Sequence, residues 1–258
     1  MRKAQLLCLV GLLGVGMALS WNRSEASQPV PEIPLILNVN YPEGDYPYPS
    51  WVSLDVAFNS EGSLNREYFH EVDRVAIENF PYAEWDEAKG CFMLEEFYLS
   101  EVNPPDRSSL EKAALHSEAI VLATIQASEV GLASSTPGTL YLAGISRKLE
   151  GLEYTDQVYF FIPVAEFQVG NRRYCKIDRR YPKPPGLGDE VLLLVQDVED
   201  PAEPFVTVDG TSVIVFPRGQ EVDLPEAFKS EGSAMGETAT RDSILSEVQA
   251  VIRAKGSP

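Results

Sequence analysis

Four stretches decide the fold: AIVLATI (Ala119–Ile125), TLYLAGI (Thr139–Ile145), QVYFFI (Gln157–Ile162) and EVLLLV (Glu190–Val195). Each is short, rich in β-branched, aliphatic or aromatic residues, and bounded by turn-forming residues, which is the pattern of a buried strand. Phe205–Val208 and Ser212–Phe216 repeat it, and Glu166–Val169 with Arg173–Ile177 add a hairpin around Gly170-Asn171. Short strands at close spacing, joined by Gly and Pro, predict a closed antiparallel barrel or a sandwich. Closure would remove the edges that such apolar strands otherwise expose.

Outward from this region, the C-terminal side reads as a linker followed by a helix. Residues 229–239 are rich in Gly, Ser and Glu. Thr240 or Asp242 then caps a helix over 240–256, whose stripe Ile244, Leu245, Val248, Val251 and Ile252 predicts packing on the body, with Gly256 as its stop. On the N-terminal side, Pro104 and Pro105 mark a break, and Ser108 or Ser109 caps a short helix over Leu110–His116.

Residues 51–103 read as a strand–helix–strand element. Val52–Phe58 alternates as a half-buried strand, and Asn59–Gly62 turns. Ser63 caps a helix through Phe80 whose apolar face is Leu64, Tyr68, Val72, Val75, Ala76 and Phe80, and Cys91–Leu99 forms a second strand. Residues 21–50 carry six prolines and read as an extended arm. The barrel domain is assigned to 104–228, its strands running from Ala119 to about Leu224. The expected class is thus mainly β (α+β), with the small N-terminal element and a C-terminal amphipathic helix around the barrel.

Residues 1–20 read as a secretory signal: Arg2 and Lys3, then an uncharged run Ala4–Leu19, too short for the roughly 20 residues of a membrane span. Ala18-Leu19-Ser20 offers a cleavage site after Ser20, and Ser24-Glu25-Ala26 offers a second. The chain is expected in the periplasm or outside the cell, with no stable membrane insertion once the signal is removed. Cleavage after Ser20 removes two of 21 basic residues and none of 39 acids, so the formal charge goes from −18 to −20. A chain this acidic disfavours nucleic acid and anionic lipid as partners. The mature chain keeps two cysteines, Cys91 and Cys175. They form either a disulfide, favoured by an oxidising compartment, or two buried thiols. With His70 and His116 they give no metal-ligand spacing, and neither a metal nor a cofactor is expected.

The order of motifs over residues 108–228 carries a resemblance. A short helix with Ser-Leu-Glu precedes His116-Ser117-Glu118-Ala119-Ile120-Val121-Leu122-Ala123. A strand ending Leu149-Glu150-Gly151 follows, then Tyr159-Phe160-Phe161-Ile162-Pro163, a basic hairpin, and Gly188-Asp189-Glu190-Val191-Leu192-Leu193-Leu194. This resembles exported bacterial proteins whose barrel is similar to OB-like, netrin-type modules. The resemblance implies a small barrel and no particular chemistry. The N-terminal cysteine and several disulfides of netrin-type protease inhibitors are missing, so that role does not follow.

The strongest local feature is NRRYCKIDRRYPK (Asn171–Lys183), with six basic residues in thirteen positions. Arg172, Arg173, Tyr174, Lys176, Arg179, Arg180 and Tyr181 are the candidate ligand-binding residues. Arginine forks suit carboxylate, sulfate and phosphate, and tyrosine stacks on rings. Alternation is expected to turn Tyr174 and Ile177 inward and leave the arginines outside. The competing reading is a solvated hairpin whose arginines pair with the protein's own carboxylates. His70 is placed on a helix beside Glu71 and Asp73 and His116 at the end of one, positions of ordinary surface or capping histidines, and the 39 acids offer many carboxylate pairs without singling one out. The favoured function is a non-enzymatic binding or interaction module for an anionic ligand or protein partner. A secreted hydrolase of polysaccharide or peptide and a passive envelope component are the alternatives.

Overall fold

A computed structural model describes residues 31–33, 36–37, 51–94, 107–153, 155–178, 181, 184–196, 206, 208, 212–217, 222–224, 228 and 239–256. The signal at 1–20, nearly all of the arm and of the linker at 229–239, the predicted strand Phe205–Val208 apart from Val206 and Val208, and residues 95–99 of the predicted strand Cys91–Leu99 lie outside them. The elements in chain order are β1 (Ile36–Leu37), β2 (Trp51–Ser53), α1 (Leu54–Ala57), α2 (Glu71–Glu78), β3 (Glu84–Asp86), β4 (Cys91–Leu94) and α3 (Leu110–Leu115). They continue with β5 (Ala119–Ala133), β6 (Thr136–Glu150), β7 (Gln157–Ile162), β8 (Ala165–Val169), β9 (Arg172–Lys176), β10 (Glu190–Val195), β11 (Val213–Phe216) and α4 (Arg241–Lys255). The protein is mainly β, as the strand pattern predicts, with a C-terminal helix.

The larger sheet is built on the β5–β6 hairpin, which pairs from Ala133 opposite Thr136 down to Ile120 opposite Glu150. One edge of β5 carries β10 along its first half and β2 at its far end. Strand β11 extends the sheet beyond β10, β1 beyond β2, and β7 beyond β6. All these pairings are antiparallel. Three register shifts interrupt the β5–β6 ladder between Ile120 and Ala127, and such bulges bend and twist a strand.

The first half of β5, most of β10 and all of β11 are apolar because both of their faces are covered. Ile120, Leu122, Leu192, Leu194, Ile214 and Phe216 face a core completed by α3 and α4. Val121, Val191, Leu193, Val213 and Val215 face the other way and meet Tyr141 of β6 and Val158, Phe160 and Ile162 of β7. One cluster therefore gathers side chains from five strands of one sheet. Burial pushes the Tyr141 hydroxyl up to about 12, only partly offset by a hydrogen bond with Thr139.

Helix α4 starts where the sequence places it. The Thr240 hydroxyl accepts from the Ser243 backbone N–H, and the Ser243 hydroxyl closes a capping box. Ile244, Leu245, Val248 and Val251 are buried, Ile252 is half-buried, and Arg241 reaches back to Glu190 at 2.9 Å. Ser109 caps α3 by accepting from the Lys112 N–H. Arg107, buried beside it, donates to the Ser212 hydroxyl at 3.2 Å and the His116 carbonyl at 3.0 Å.

The smaller sheet has the order β3-β4-β9-β8. Its central pair, β4 with β9, is parallel, the exception to the antiparallel pattern. Cys91 and Cys175 lie on these two strands and form a disulfide with their Cα atoms 5.9 Å apart, within the range a bridge requires. Of the two readings of these cysteines, the structure has the bonded one.

Two predicted elements differ. Chain 52–58 turns after Ser53 into the single helical turn of α1, closed by Phe58 N–H on the Leu54 carbonyl. The predicted helix Ser63–Phe80 shortens to α2, preceded by a 3-10 turn at Arg66–Tyr68 and followed by another at Phe80–Tyr82. The cause is local. Asn59 Oδ1 accepts from the Glu61 and Ser63 N–H groups, Leu64 bridges back to Phe58, and Asn65 Nδ2 donates to Val56 O at 2.6 Å. These bonds commit residues 59–65 to a tight loop before any helix can start.

Candidate functional site

The structure sorts the basic hairpin into inner and outer residues. In β9, Arg172 donates to the Pro81 carbonyl at 2.7 Å and lies 5.1 Å from the centre of the Phe92 ring. Arg173 pairs with Glu166 across the β8–β9 ladder. Tyr174 is buried in an aromatic cluster with Phe80, Phe92 and Phe167, ring centres 5.5–6.1 Å away. Lys176 is buried, with only 6% of its surface exposed, and Tyr181 is packed in the core of the larger sheet. Arg179, Arg180 and Lys183 lie outside the described residues.

Tyr174 faces inward, but Ile177 does not: it is 42% exposed, since it lies three residues beyond Tyr174 and a two-residue period puts it on the opposite face. The two described arginines of β9 thus have partners inside the protein, and Tyr174, Lys176 and Tyr181 are interior. The two arginine contacts should differ in strength. The Arg173–Glu166 pair is about half-exposed on both sides, so Arg173→Ser is expected to cost at most about 1 kcal/mol. Arg172→Ser removes a hydrogen bond and a cation–ring contact together and is expected to cost more, about 1–2 kcal/mol. Chemical denaturation of both variants measures this, and an equal or reversed order would contradict the assignment.

A different feature stands open to solvent. A cleft of about 590 Å³ runs between α2 with its following turn, strands β3 and β4, and the tip of the β5–β6 hairpin. Val72, Val75, Ala76 and Asn79 line it from α2, at the spacing of one helical face. Phe80, Tyr82 and Glu84 line it from the turn and β3, Met93 and Leu94 from β4, and Pro137 from the hairpin tip. Lys176 also lines it. Val72 is 81% exposed, Val75 57% and Tyr82 82%. Single exposed apolar residues are ordinary; three around one concavity are the kind of patch that marks a contact surface.

Residue-by-residue reading of the sequence places Val72, Val75 and Ala76 on a core-facing stripe. The structure turns the helix by its own anchor: Ile77 is the buried residue of α2, and Arg74 Nε donates to the Phe69 carbonyl at 2.9 Å. Ile77 lies roughly opposite Val72 and Val75 on the helix, and that opposition is the signal by which the sequence could have revealed an outward apolar face.

A second depression is polar and shallow. Thr124, Gln126, Gly144, Ser146, Gln157 and Tyr159 surround it on β5, β6 and β7. Gln157 donates to Gln126 at 2.9 Å, and a Cβ at Gly144 would stand 2.2 Å from the Gln126 amide nitrogen, so the Gln126 side chain would have to move aside to admit one.

Among the titratable groups, the Glu129 carboxyl is held above its ordinary value of 4.5, first by burial and then by the nearby Asp55 carboxylate. Between the ordinary and the raised value, the folded form therefore keeps a proton that the unfolded chain releases. The resulting cost is absent below about pH 4.5 and grows as pH rises through the raised value. Glu129→Gln is expected to raise the melting temperature at neutral pH and to leave it nearly unchanged in acid. Thermal melts at two pH values check this, and an equal shift at both would contradict it. Glu247 is raised in the same direction by burial and by Glu111.

Among the described residues, no group of three or more His, Cys, Asp or Glu side chains is placed to hold a metal ion. His70 stands at the N-terminal boundary of α2, outside the helix and without a side-chain cap bond, and His116 follows the end of α3. No helix of the described residues is long and apolar enough to cross a membrane. No family model, curated protein or solved structure matches the chain.

Proposed function

We propose that this chain is an exported, non-enzymatic binding module, and that its contact surface is the apolar cleft of α2, β3, β4 and the β5–β6 tip. The observation that carries this reading is the exposure of Val72, Val75 and Tyr82 around one concavity. Leaving such surface in water is unfavourable by roughly 25 cal/mol per Å², and a partner that covers it recovers that energy. The volume falls within the roughly 300–1,000 Å³ of small-ligand clefts.

Export is part of the same proposal. Its support is the charge–apolar–small order of residues 1–20 and the buried Cys91–Cys175 bond, of a kind that persists in oxidising compartments. An OB-like barrel for the larger sheet is likewise proposed. Its supports are the bulged β5–β6 hairpin, the side-chain cluster shared by five strands, and the Val206 N–H that donates to the Tyr159 carbonyl of β7 at 2.9 Å. An anionic ligand on the basic hairpin is the weaker form of the reading, because Arg172 and Arg173 already hold partners.

The cleft is tested with an uncharged apolar dye, Nile red, and the mature protein. Val72→Ser, Val75→Ser and Tyr82→Ser combined alter exposed side chains and should leave circular dichroism and melting unchanged. Dye binding is expected to fall by about tenfold or more, from the lost apolar contact. Undiminished binding by the folded variant would refute the cleft as the contact surface.

A further inference from the structure

We infer that the occupant of this cleft is a cationic amphipathic peptide segment, with apolar side chains inserted and Lys or Arg residues on the rim; the inference rests on the cleft being the contact surface. Charge is distributed unevenly around the apolar patch. On α2, the residues facing the cleft are Val72, Val75, Ala76 and Asn79. Helical geometry then places Glu71 on one flank of that face and Asp73 on the other. Glu84, exposed on β3, is a third acid and lines the cleft itself. Exposed Glu87 follows in the β3–β4 turn. Among the described residues the basic neighbours are Arg66 and Lys89, paired with Glu78 and Asp86, Arg74, which donates to the Phe69 carbonyl and keeps its charge, and Lys176, buried at the cleft wall. The described rim is therefore net negative around an apolar floor, with Glu71, Asp73, Glu84 and Glu87 against Arg74 and Lys176, on a chain of formal charge −18. A partner with apolar residues between basic ones matches both layers, and its approach is accelerated by the overall field. An anionic amphiphile would match Lys176 alone and would meet the acidic rim unfavourably.

The probe is a labelled synthetic peptide of alternating Leu and Lys, followed by fluorescence anisotropy with the full mature protein. Peptides of equal length alternating Leu and Glu, or Ser and Lys, are the controls. The Leu–Lys peptide is expected to bind about tenfold tighter than either control, and more weakly as salt rises. Glu71→Gln, Asp73→Asn and Glu87→Gln combined should weaken it about tenfold, the product of three few-fold exposed charge contacts. Nile red binding by that variant should stay unchanged. Tighter binding of the Leu–Glu peptide would overturn the inference in favour of an anionic amphiphile. Equal binding of the Ser–Lys peptide would overturn it in favour of general charge attraction. If the acid-neutral variant binds Leu–Lys as well as the wild type does, the rim has no role and the inference fails, while the cleft reading survives on the Nile red result. If instead the Val72, Val75 and Tyr82 variant keeps its Nile red binding, the cleft reading itself fails and this inference with it.

Discussion

Replacing Cys91 and Cys175 together with serine is expected to lower the unfolding free energy by up to about 4.6 kcal/mol, the chain-entropy value for a bond spanning 84 residues. The bond joins β4 to β9 in the only parallel pair described, where no short turn connects the strands. Without it, β3 and β4 attach to the smaller sheet through a three-residue register and the aromatic cluster around Tyr174. The loss should therefore be local before it is global. Guanidinium unfolding measures the total, and hydrogen exchange should show Phe92–Leu94 and Tyr174–Lys176 opening first. A thiol assay finding two free cysteines in the mature protein, or a loss below about 1 kcal/mol, would contradict this role. Reduction would also bear on the cleft, since Met93 and Leu94 of β4 line it.

Phe160→Ala is expected to cost about 3–5 kcal/mol, the range for emptying a fully buried aromatic site. Phe160 is completely buried, stacks on Tyr141 with ring centres 5.2 Å apart, and sits in the cluster shared by β5, β6, β7, β10 and β11. Because those strands are hydrogen-bonded side by side in one sheet, the cavity has little room to collapse. Phe161, the next residue, points to the opposite face and is half-buried, so Phe161→Ala should cost clearly less. Urea titrations of both variants check the ordering. Equal losses would mean that β7 is not held in its register with β6.

The parts of this fold that could be read directly are those whose local signal and tertiary setting agree. Glu190–Val195 is apolar because both of its faces are covered, and its strand limits match the run. Helix α4 carries its own cap in Thr240 and Ser243 and its own stripe. Strands β5 and β6 extend well past their apolar runs, through Ser128 and Glu129 on one and Ser146–Lys148 on the other, because a ladder between two strands tolerates polar residues where one face meets water. The N-terminal element was less legible. The loop at Asn59–Asn65 is fixed by side-chain bonds to the backbone that compete with helix formation, so a cap-and-stripe reading begins the helix too early.

The site was the least legible part, for a related reason. Val72 and Val75 carry a core signature and face solvent, while Lys176 carries a surface signature and is buried. Both reversals depend on where α2 is anchored and on how β9 lies between β4 and β8, which are tertiary facts. Clustered arginines draw attention to Asn171–Lys183, yet clustering does not tell whether the partners are internal. Arg172 on the Pro81 carbonyl and Arg173 on Glu166 show that, for these two, they are.

The central claim, that the cleft beside α2 is the surface this protein uses, is tested most directly by amide chemical-shift mapping of the labelled mature protein with the Leu–Lys peptide. Shifts are expected at Val72–Asn79, Tyr82–Glu84, Met93–Leu94 and Thr136. Little change is expected around Thr124, Gln126, Gly144 and Gln157 on the polar face. Saturable shifts confined to the polar face, or to the basic hairpin at Arg172–Lys176, would contradict the account.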